Sequence, residues 1–363
     1  MSGAWPFPPP IAPMEARVRE ALPEPPGWAY EPKWDGFRAL AWGGADPRLD
    51  SRNTKPLLRY FPELLPALSQ LPDGAVVDGE VVVVTGGALD FDALQNRIHP
   101  ADSRVTMLAG ETPAQLVAFD LLALGGRDLR GEPFAERRRR LSELAADLAD
   151  PWHLTPQTTD VEVAARWFTD FESAGCDGIV AKGLDATYAT GERRMVKVKH
   201  RRDVDVVVGG YRIHKEGDRI GSLLLGLYDD AGELHFIGHC SGFGDADRRA
   251  ILVTLERLAV EFSSGEGAPR PGLGEGAPRP GFGEGARRPG GPSRWTGGKD
   301  LSWVAVRPEL VCQVSYDQLT GDRFRHATRF DRWRADKDPR ECTMAQLERP
   351  VGPDFAAVVT DGG

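Results

Sequence analysis

An α+β fold in two domains is what the sequence predicts, and three observations carry it. Up to about residue 203, short apolar runs mix with two charged, periodic helical segments. Beyond it, five strand patterns surround one helical stretch, which is the inventory of an OB-type barrel and leaves an SH3-like barrel open. Between them in character is a Gly/Pro repeat that cannot build a core. A chain of 363 residues suits about two domains of ordinary size.

In the first half, the runs at 76–84 (VVDGEVVVV) and 116–124 (LVAFDLLAL) are short and β-rich, as buried strands are. Residues 134–149 are charged and periodic and predict a surface helix. Thr159 and Glu162 form a capping-box pattern, opening a helix to about Ala174 with Gly175 as its stop. Strand-like runs follow at 178–182 and 195–199.

The second half reads as strands at 204–212, 221–229, 233–240, 309–318 and 323–330, separated by Gly and Asp turns. Asp245 is the expected cap of a helix at 246–262. Residues 265–291 are three copies of nine: GEGAPRPGL, GEGAPRPGF and GEGARRPGG. They predict a disordered insertion in a loop of the second domain, or a short basic tether for DNA. The boundaries are expected at 1–203, 204–350 and a tail at 351–363.

Apolar residues make up 41% of the chain, enough for a real core. No run of about 18 apolar residues occurs, so no membrane span is expected. The start, MSGAWPFPPPIAPMEARVRE, does not read as a secretory signal. Cys176, Cys240, Cys312 and Cys342 are far apart and form no C-x-x-C pair, which argues against zinc and disulfides and suits a reducing cytosol. The net charge of −9 argues mildly against nucleic acid, but binding depends on local patches. Arg193 to Arg202 holds six Lys or Arg and no acid, and Arg323 to Arg340 holds seven against three Asp. His235 and His239 sit four apart on a strand, a separation of roughly 13 Å that is too long to share one ion.

Lys33 stands in EPKWDGFR among apolar and aromatic residues, with Arg38 nearby. A lysine attacks phosphorus only as a neutral amine, so burial or nearby cations must favour that form. K-x-D-G arises by chance in roughly one chain in ten of this size, so alone it decides little. It is followed, however, by Ser51-Arg52-Asn53 and then by Asp78-Gly79-Glu80 inside an apolar strand. A carboxylate there costs free energy unless it meets a cation or a sugar hydroxyl. Phe119-Asp120, Asp177-Gly178-Ile179-Val180-Ala181-Lys182 and Lys197-Val198-Lys199 come next. Lys197 and Lys199 share one face of a strand, where an anion between them would relieve their repulsion. No G-x-x-x-x-G-K-[ST] loop is present, so a triphosphate would not be held as in P-loop enzymes.

The ordered set K-x-D-G, S-R-N, D-G-E, F-D, D-G-I-V-x-K and K-x-K resembles the covalent nucleotidyltransferases: DNA ligases, RNA ligases and mRNA capping enzymes. Arg334-Ala335-Asp336-Lys337 resembles the family's last motif, R-x-D-K. Stretches such as YEPKWDGFR, RYFPEL, QNRIHP, IGSLLLGLY and RFRHATRFDRWRADKDPREC are similar to the bacterial ATP-dependent DNA ligase C group of actinobacteria. The resemblance covers nearly the whole chain outside 265–291. It implies a nucleotidyltransferase (ATP-grasp-like adenylation) domain followed by a five-stranded OB-fold β-barrel. It implies ATP, Mg²⁺ or Mn²⁺, and a Lys33–AMP intermediate that passes AMP to the 5′-phosphate of a nick before the 3′-hydroxyl displaces it.

The same resemblance implies that Phe119 stacks on adenine and Glu31 contacts the base. Arg38, Arg52 and Glu80 would hold ribose and phosphate, and Lys182, Lys197 and Lys199 the α-phosphate. Arg193 is also placed with the nucleotide, and Arg334 and Lys337 with the leaving pyrophosphate. Glu80 and Asp177 are the metal-facing carboxylates, although many ligases carry Glu where Asp177 stands. The expected substrate is nicked double-stranded DNA, with repair as the setting, repair proteins as partners, and a cytoplasmic, nucleoid-associated monomer as the acting species. An RNA ligase or a GTP-using capping-type enzyme is the alternative, and a DNA-binding OB protein with a dead transferase domain the reading from another class. The intact Lys33, Glu80, Lys197 and Lys199 argue against the last.

Overall fold

Valine-rich and leucine-rich runs form the two longest strands of the N-terminal part, Val76–Thr85 and Ala114–Leu124. Such side chains pack well on a pleated surface covered on both faces. The computed structural model describes residues 5–260, 281–283, 286–289, 302–347 and 352–360. The chain divides into two units, one of residues 1–200 with 349–363 and one of residues 201–348. The second unit is thus inserted into the first rather than appended to it.

The first unit's strands are β1 (Glu15–Val18), β2 (Trp28–Pro32), β3 (Phe37–Trp42), β4 (Arg48–Ser51), β5 (Val76–Thr85), β6 (Ala88–Leu89), β7 (Ala114–Leu124), β8 (Arg127–Asp128), β9 (Trp152–Leu154), β10 (Gly178–Gly183) and β11 (Arg193–Lys199). They make two sheets. One runs β1-β11-β10-β2; the other runs β4-β3-β5-β7-β8, with β6 on β5 and β9 on β7. The helices are α1 (Leu65–Leu68), α2 (Phe91–Asn96), α3 (Asp102–Glu111), α4 (Phe134–Ala145) and α5 (Val161–Asp170). The cap of α5 is Asp160, whose carboxylate accepts from the amides of Glu162 and Val163, not the expected Thr159. The Asp160 carboxylate, one residue later, meets the free amides directly.

The segment expected as a tail does not behave as one. After the second unit the chain returns to the first as α7 (Phe355–Thr360), separated in sequence from α5 by the second unit's α6 (Asp245–Glu256). Phe355 and Val358 are buried in a core shared with Tyr30, Trp34, Val117, Trp167 and Ile179. The Phe355 ring meets Trp34 edge-on at 5.6 Å, and its amide donates to Gly87 O at 2.7 Å.

The second unit holds β12 (Arg202–Ile213), β13 (Ile220–Tyr228), β14 (Leu234–Cys240), β15 (Val304–Ala305), β16 (Val311–Tyr316), β17 (Leu319–Thr320), β18 (Arg323–Phe324) and β19 (Arg329–Trp333). Its main sheet runs β14-β13-β12-β16-β19. Irregular register between Val208 and Gly210 and between Arg212 and Ile213 bends β12 and lets the sheet curl. Among the described residues the outer strands approach at the bridge of Cys240 to Thr328, and the sheet curls into a half-barrel. Residues 323–330, expected as one strand, divide between β18 and β19. Helix α6 is preceded by Gly244 at the cap position, and Asp245 lies inside its first turn.

Part of the repeat is ordered. Phe282 is 4% exposed and packs against Phe236 and Trp303 over Gly209, while Arg287 pairs with Asp322 at 2.5 Å. The disordered insertion expected over 265–291 is therefore corrected at residues 281–283 and 286–289. The rest of that range lies outside the described residues. Among the described residues, no helix is long and apolar enough to cross a membrane.

Candidate functional site

The two sheets of the first unit face each other across a cleft of about 490 Å³. One wall carries Glu31, Lys33, Lys182 and Lys197; the other carries Arg38, Glu80 and Phe119, with Arg52 just beyond β4. The order of motifs along the chain thus becomes one surface because β2, β10 and β11 are neighbours, as are β3, β5 and β7.

Lys33 follows β2 and is clipped by its backbone. Its amide donates to Gly178 O at 2.9 Å, and its carbonyl accepts from Asp177 N at 2.8 Å. Gly178 has φ +136° and no room for a Cβ, which would lie 2.1 Å from Val198 O. Gly36 is equally constrained, since a Cβ there would lie 2.3 Å from Val81 O. That contact explains the glycine of K-x-D-G: it lets the lysine turn lie flat on β5.

The Lys33 ammonium meets Asp177 at 2.6 Å, and Lys199 meets the same oxygen at 3.3 Å. Burial alone would lower the Lys33 pKa, but Asp177, with Asp35 and Glu80, outweighs it and raises it. Lys197, on the same strand, is pushed down by burial and by the charges of Lys33, Lys199 and Arg52. Burial raises the carboxyl of Glu80 to about 8, against the pull of Arg38 and Lys33.

Lys182 lies elsewhere in the cleft. Its ammonium is buried, 2.7 Å from Glu31 Oε2, and donates to Phe119 O at 2.7 Å. It therefore groups with Glu31 and Phe119 rather than with Lys197 and Lys199. Gln157 donates to the other Glu31 oxygen at 3.0 Å, and Arg138 stands 3.8 Å from it. Arg38 is held by both oxygens of buried Asp78, at 2.5 and 2.6 Å, and lies over the Phe119 ring at 4.5 Å. Tyr188 donates to Asp78 at 2.5 Å and accepts from the Met14 amide. Asp120 is satisfied by Arg137 at 2.8 and 3.0 Å, which makes it structural.

Asp78, Gln157, Arg138 and Tyr188 were not singled out in the sequence. Asp78 stood inside D-G-E, and its polarity in an apolar strand was the available signal; the other three carry none. Arg193 is exposed and pairs with Glu15. Arg334 and Lys337 belong to the second unit, where Asp205 binds both, at 2.7 and 3.2 Å. Among the described residues no cluster of three or more His, Cys, Asp or Glu is arranged to hold a metal.

Comparison with known proteins agrees with this arrangement. Residues 9–199 match the model of the ATP dependent DNA ligase domain, and residues 216–337 that of the ATP dependent DNA ligase C terminal region. The chain is 51% identical to DNA ligase C2 of Mycolicibacterium smegmatis, covering 94% of this chain and 95% of that one. It is 48% identical to DNA ligase C of Mycobacterium tuberculosis, covering 98% of each. A solved structure of a Lig E DNA ligase shares the fold at a TM-score of 0.54 and 18% identity, over 89% of this chain and 100% of that one. With both halves matched by one family's models and relatives about half identical along nearly their whole length, the chain belongs to the ATP-dependent DNA ligases.

Proposed function

We propose that this chain seals nicks in double-stranded DNA with ATP, through a covalent AMP on Lys33, and that it acts in DNA repair. The observation that carries the reading is Lys33 on the wall of a cleft that also holds Phe119, Glu31, Arg38, Arg52 and Lys197.

The base is assigned to the end of the cleft where Glu31 and Phe119 lie. Lys182 and Gln157 orient the Glu31 carboxylate there by occupying both of its oxygens. Arg38, fixed by Asp78, takes the ribose side with Glu80. Lys197 and Lys199 hold the α-phosphate, and Arg52 and Arg193 hold phosphate further out. Lys33 attacks phosphorus once it has given up its proton; the P–O bond to pyrophosphate breaks and the lysine–AMP bond forms. Arg334 and Lys337 are assigned to the departing pyrophosphate, for which they must release Asp205. The second unit serves as an OB-type barrel for DNA in this reading.

The family implies a divalent cation. Asp177 is a buried carboxylate touched by lysines, and burial leaves Glu80 reluctant to ionise. Two such carboxylates suit Mg²⁺ or Mn²⁺, which commonly bind through one or two carboxylates plus substrate phosphates. Bound there, the ion would supply positive charge against the phosphates.

Incubation with α-labelled ATP or GTP, followed by offering nicked DNA or nicked RNA, tests the reading. Acid-stable label from ATP that Lys33→Ala abolishes, followed by sealing of DNA, is the expected result. Labelling of the Lys33→Ala protein, or preference for GTP or RNA, would remove it.

A further inference from the structure

Beside the main cleft lies a shallow groove lined by Glu15, Arg17, Val18, Glu192, Arg194 and others, and it shares Glu15, Ala16, Arg52 and Lys197 with the cleft. Five cations and two carboxylates line it, an excess of positive charge on a surface of a chain whose net charge is −9. One carboxylate, Glu192, is paired with Arg194 at 2.8 Å. The other, Glu15, sits between two guanidinium groups that come from opposite sheets. Arg52, just past β4, reaches its Oε1 at 2.7 Å; Arg193, on β11, reaches its Oε2 at 3.2 Å.

Backbone geometry aims Glu15 at this point. The β1–β11 ladder shifts register between Glu15 and Ala16, and the Glu15 amide donates to Glu192 O at 2.7 Å. A bulge at an edge strand re-aims the side chain next to it. One carboxylate thus presents one oxygen to each arginine, which is how a phosphate would present two of its own. We propose that Glu15 is a built-in stand-in for a phosphate group: it holds Arg52 and Arg193 in place and yields them when a substrate phosphate enters the groove.

The inference rests on the ligase reading and adds to it a competitor within the chain. Glu15 keeps both arginines ordered in the free protein, which lowers the entropy lost on binding. The same contact must break before a phosphate takes its place, so affinity is reduced by the strength of that ion pair. Two substrate parts carry the chemistry, the 5′-phosphate of a nick and the triphosphate of ATP.

The test compares the full chain with its Glu15→Gln and Glu15→Asp variants. Affinity is measured for duplexes nicked with a 5′-phosphate or a 5′-hydroxyl, and KM for ATP in lysine adenylylation. Glu15→Gln should tighten binding of a phosphate by about fivefold, the weight of one partly exposed ion pair. A gain confined to the 5′-phosphate nick assigns the groove to DNA, and a gain confined to KM assigns it to ATP. Glu15→Asp, which keeps the charge on a shorter arm, should lie between wild type and Glu15→Gln. Looser binding, no change in either arm, or an equal gain on the 5′-hydroxyl nick overturns the proposal. If the wild-type protein neither adenylylates nor binds nicked DNA, the ligase reading itself has failed, and the two failures stay distinct.

Discussion

Asp177 lies 2.6 Å from the nucleophile candidate Lys33 and opposes the chemistry proposed for it. The carboxylate favours the ammonium, whereas attack needs the amine. Replacing Asp177 by Asn leaves burial, which lowers the Lys33 pKa, with less to oppose it. The pH dependence of single-turnover adenylylation should move to lower pH. Its plateau should fall as well, because Asp177 is also assigned to the metal. A midpoint that stays where the wild type has it would separate Asp177 from the protonation of Lys33.

Glu80 should make the fold itself pH-sensitive. Burial raises its carboxyl to about 8 from an ordinary value of 4.5. Between those values the folded chain keeps a proton that the unfolded chain has released. Stability therefore falls as pH rises through that window. Glu80→Gln, neutral throughout, should melt with the wild type at pH 4.5 and above it at pH 8.5, in chelator-treated protein without nucleotide. The gain would be roughly 2–4 °C for each kcal/mol recovered. A Tm difference that is constant across the range would show that Glu80 is ionised in the free fold.

Phe282 tests the correction to the repeat. It fills the space over Gly209 against Phe236 and Trp303. Phe282→Ala should cost about 3–5 kcal/mol, as large-to-small changes at well-packed aromatic positions do. Deleting the first copy of the repeat, 265–273, should cost little, since its Gly/Pro-rich composition cannot build a core. Thermal melts of the two variants decide it. Equal tolerance of both would mean that Phe282 contributes nothing to the core.

Those predictions divide along the line between what the sequence disclosed and what it did not. Lys33, Arg38, Glu80, Phe119 and Lys197 can be singled out in the sequence because each sits in a short motif on a strand or, for Lys33, just after one, and the motifs keep their order along the chain. The pairing of β2 with β10, or of β3 with β5, then brings them to one cleft. Glu15 was not legible: its role depends on a register shift against a strand 178 residues away. Gln157 and Arg138 meet the cleft through Glu31, Arg138 being held by Thr155 O as well, and nothing local distinguishes them from other polar residues. Phe282 is hidden by composition, because the seven Gly, Pro or charged residues of its copy outweigh one aromatic ring in any local reading. The return of α7 was missed because six residues near a Gly-rich end carry no periodicity. Its tertiary partners Trp34 and His153 supply what local pattern lacks.

Asp205 gives the last prediction its edge. It binds both Arg334 and Lys337, while the proposed first step assigns these cations to pyrophosphate. Pyrophosphate leaves with up to four negative charges, and cations placed on it favour departure. Losing one should slow lysine adenylylation by roughly 10²–10³-fold, the range for removing one stabilising donor. The final sealing step, in which pyrophosphate is already gone, should be spared. Lys337→Ala should therefore fail on an ordinary nick with ATP yet seal a nick that already carries a 5′-adenylate. If Lys337 instead belongs to a DNA-facing basic strip, both substrates should suffer alike, and more so as salt rises. Lys337 is also one of two cations on Asp205, so its loss leaves that carboxylate to Arg334 alone, and a melting curve must accompany the kinetics. A stable variant that loses both reactions equally at two salt concentrations would take the leaving group away from Lys337.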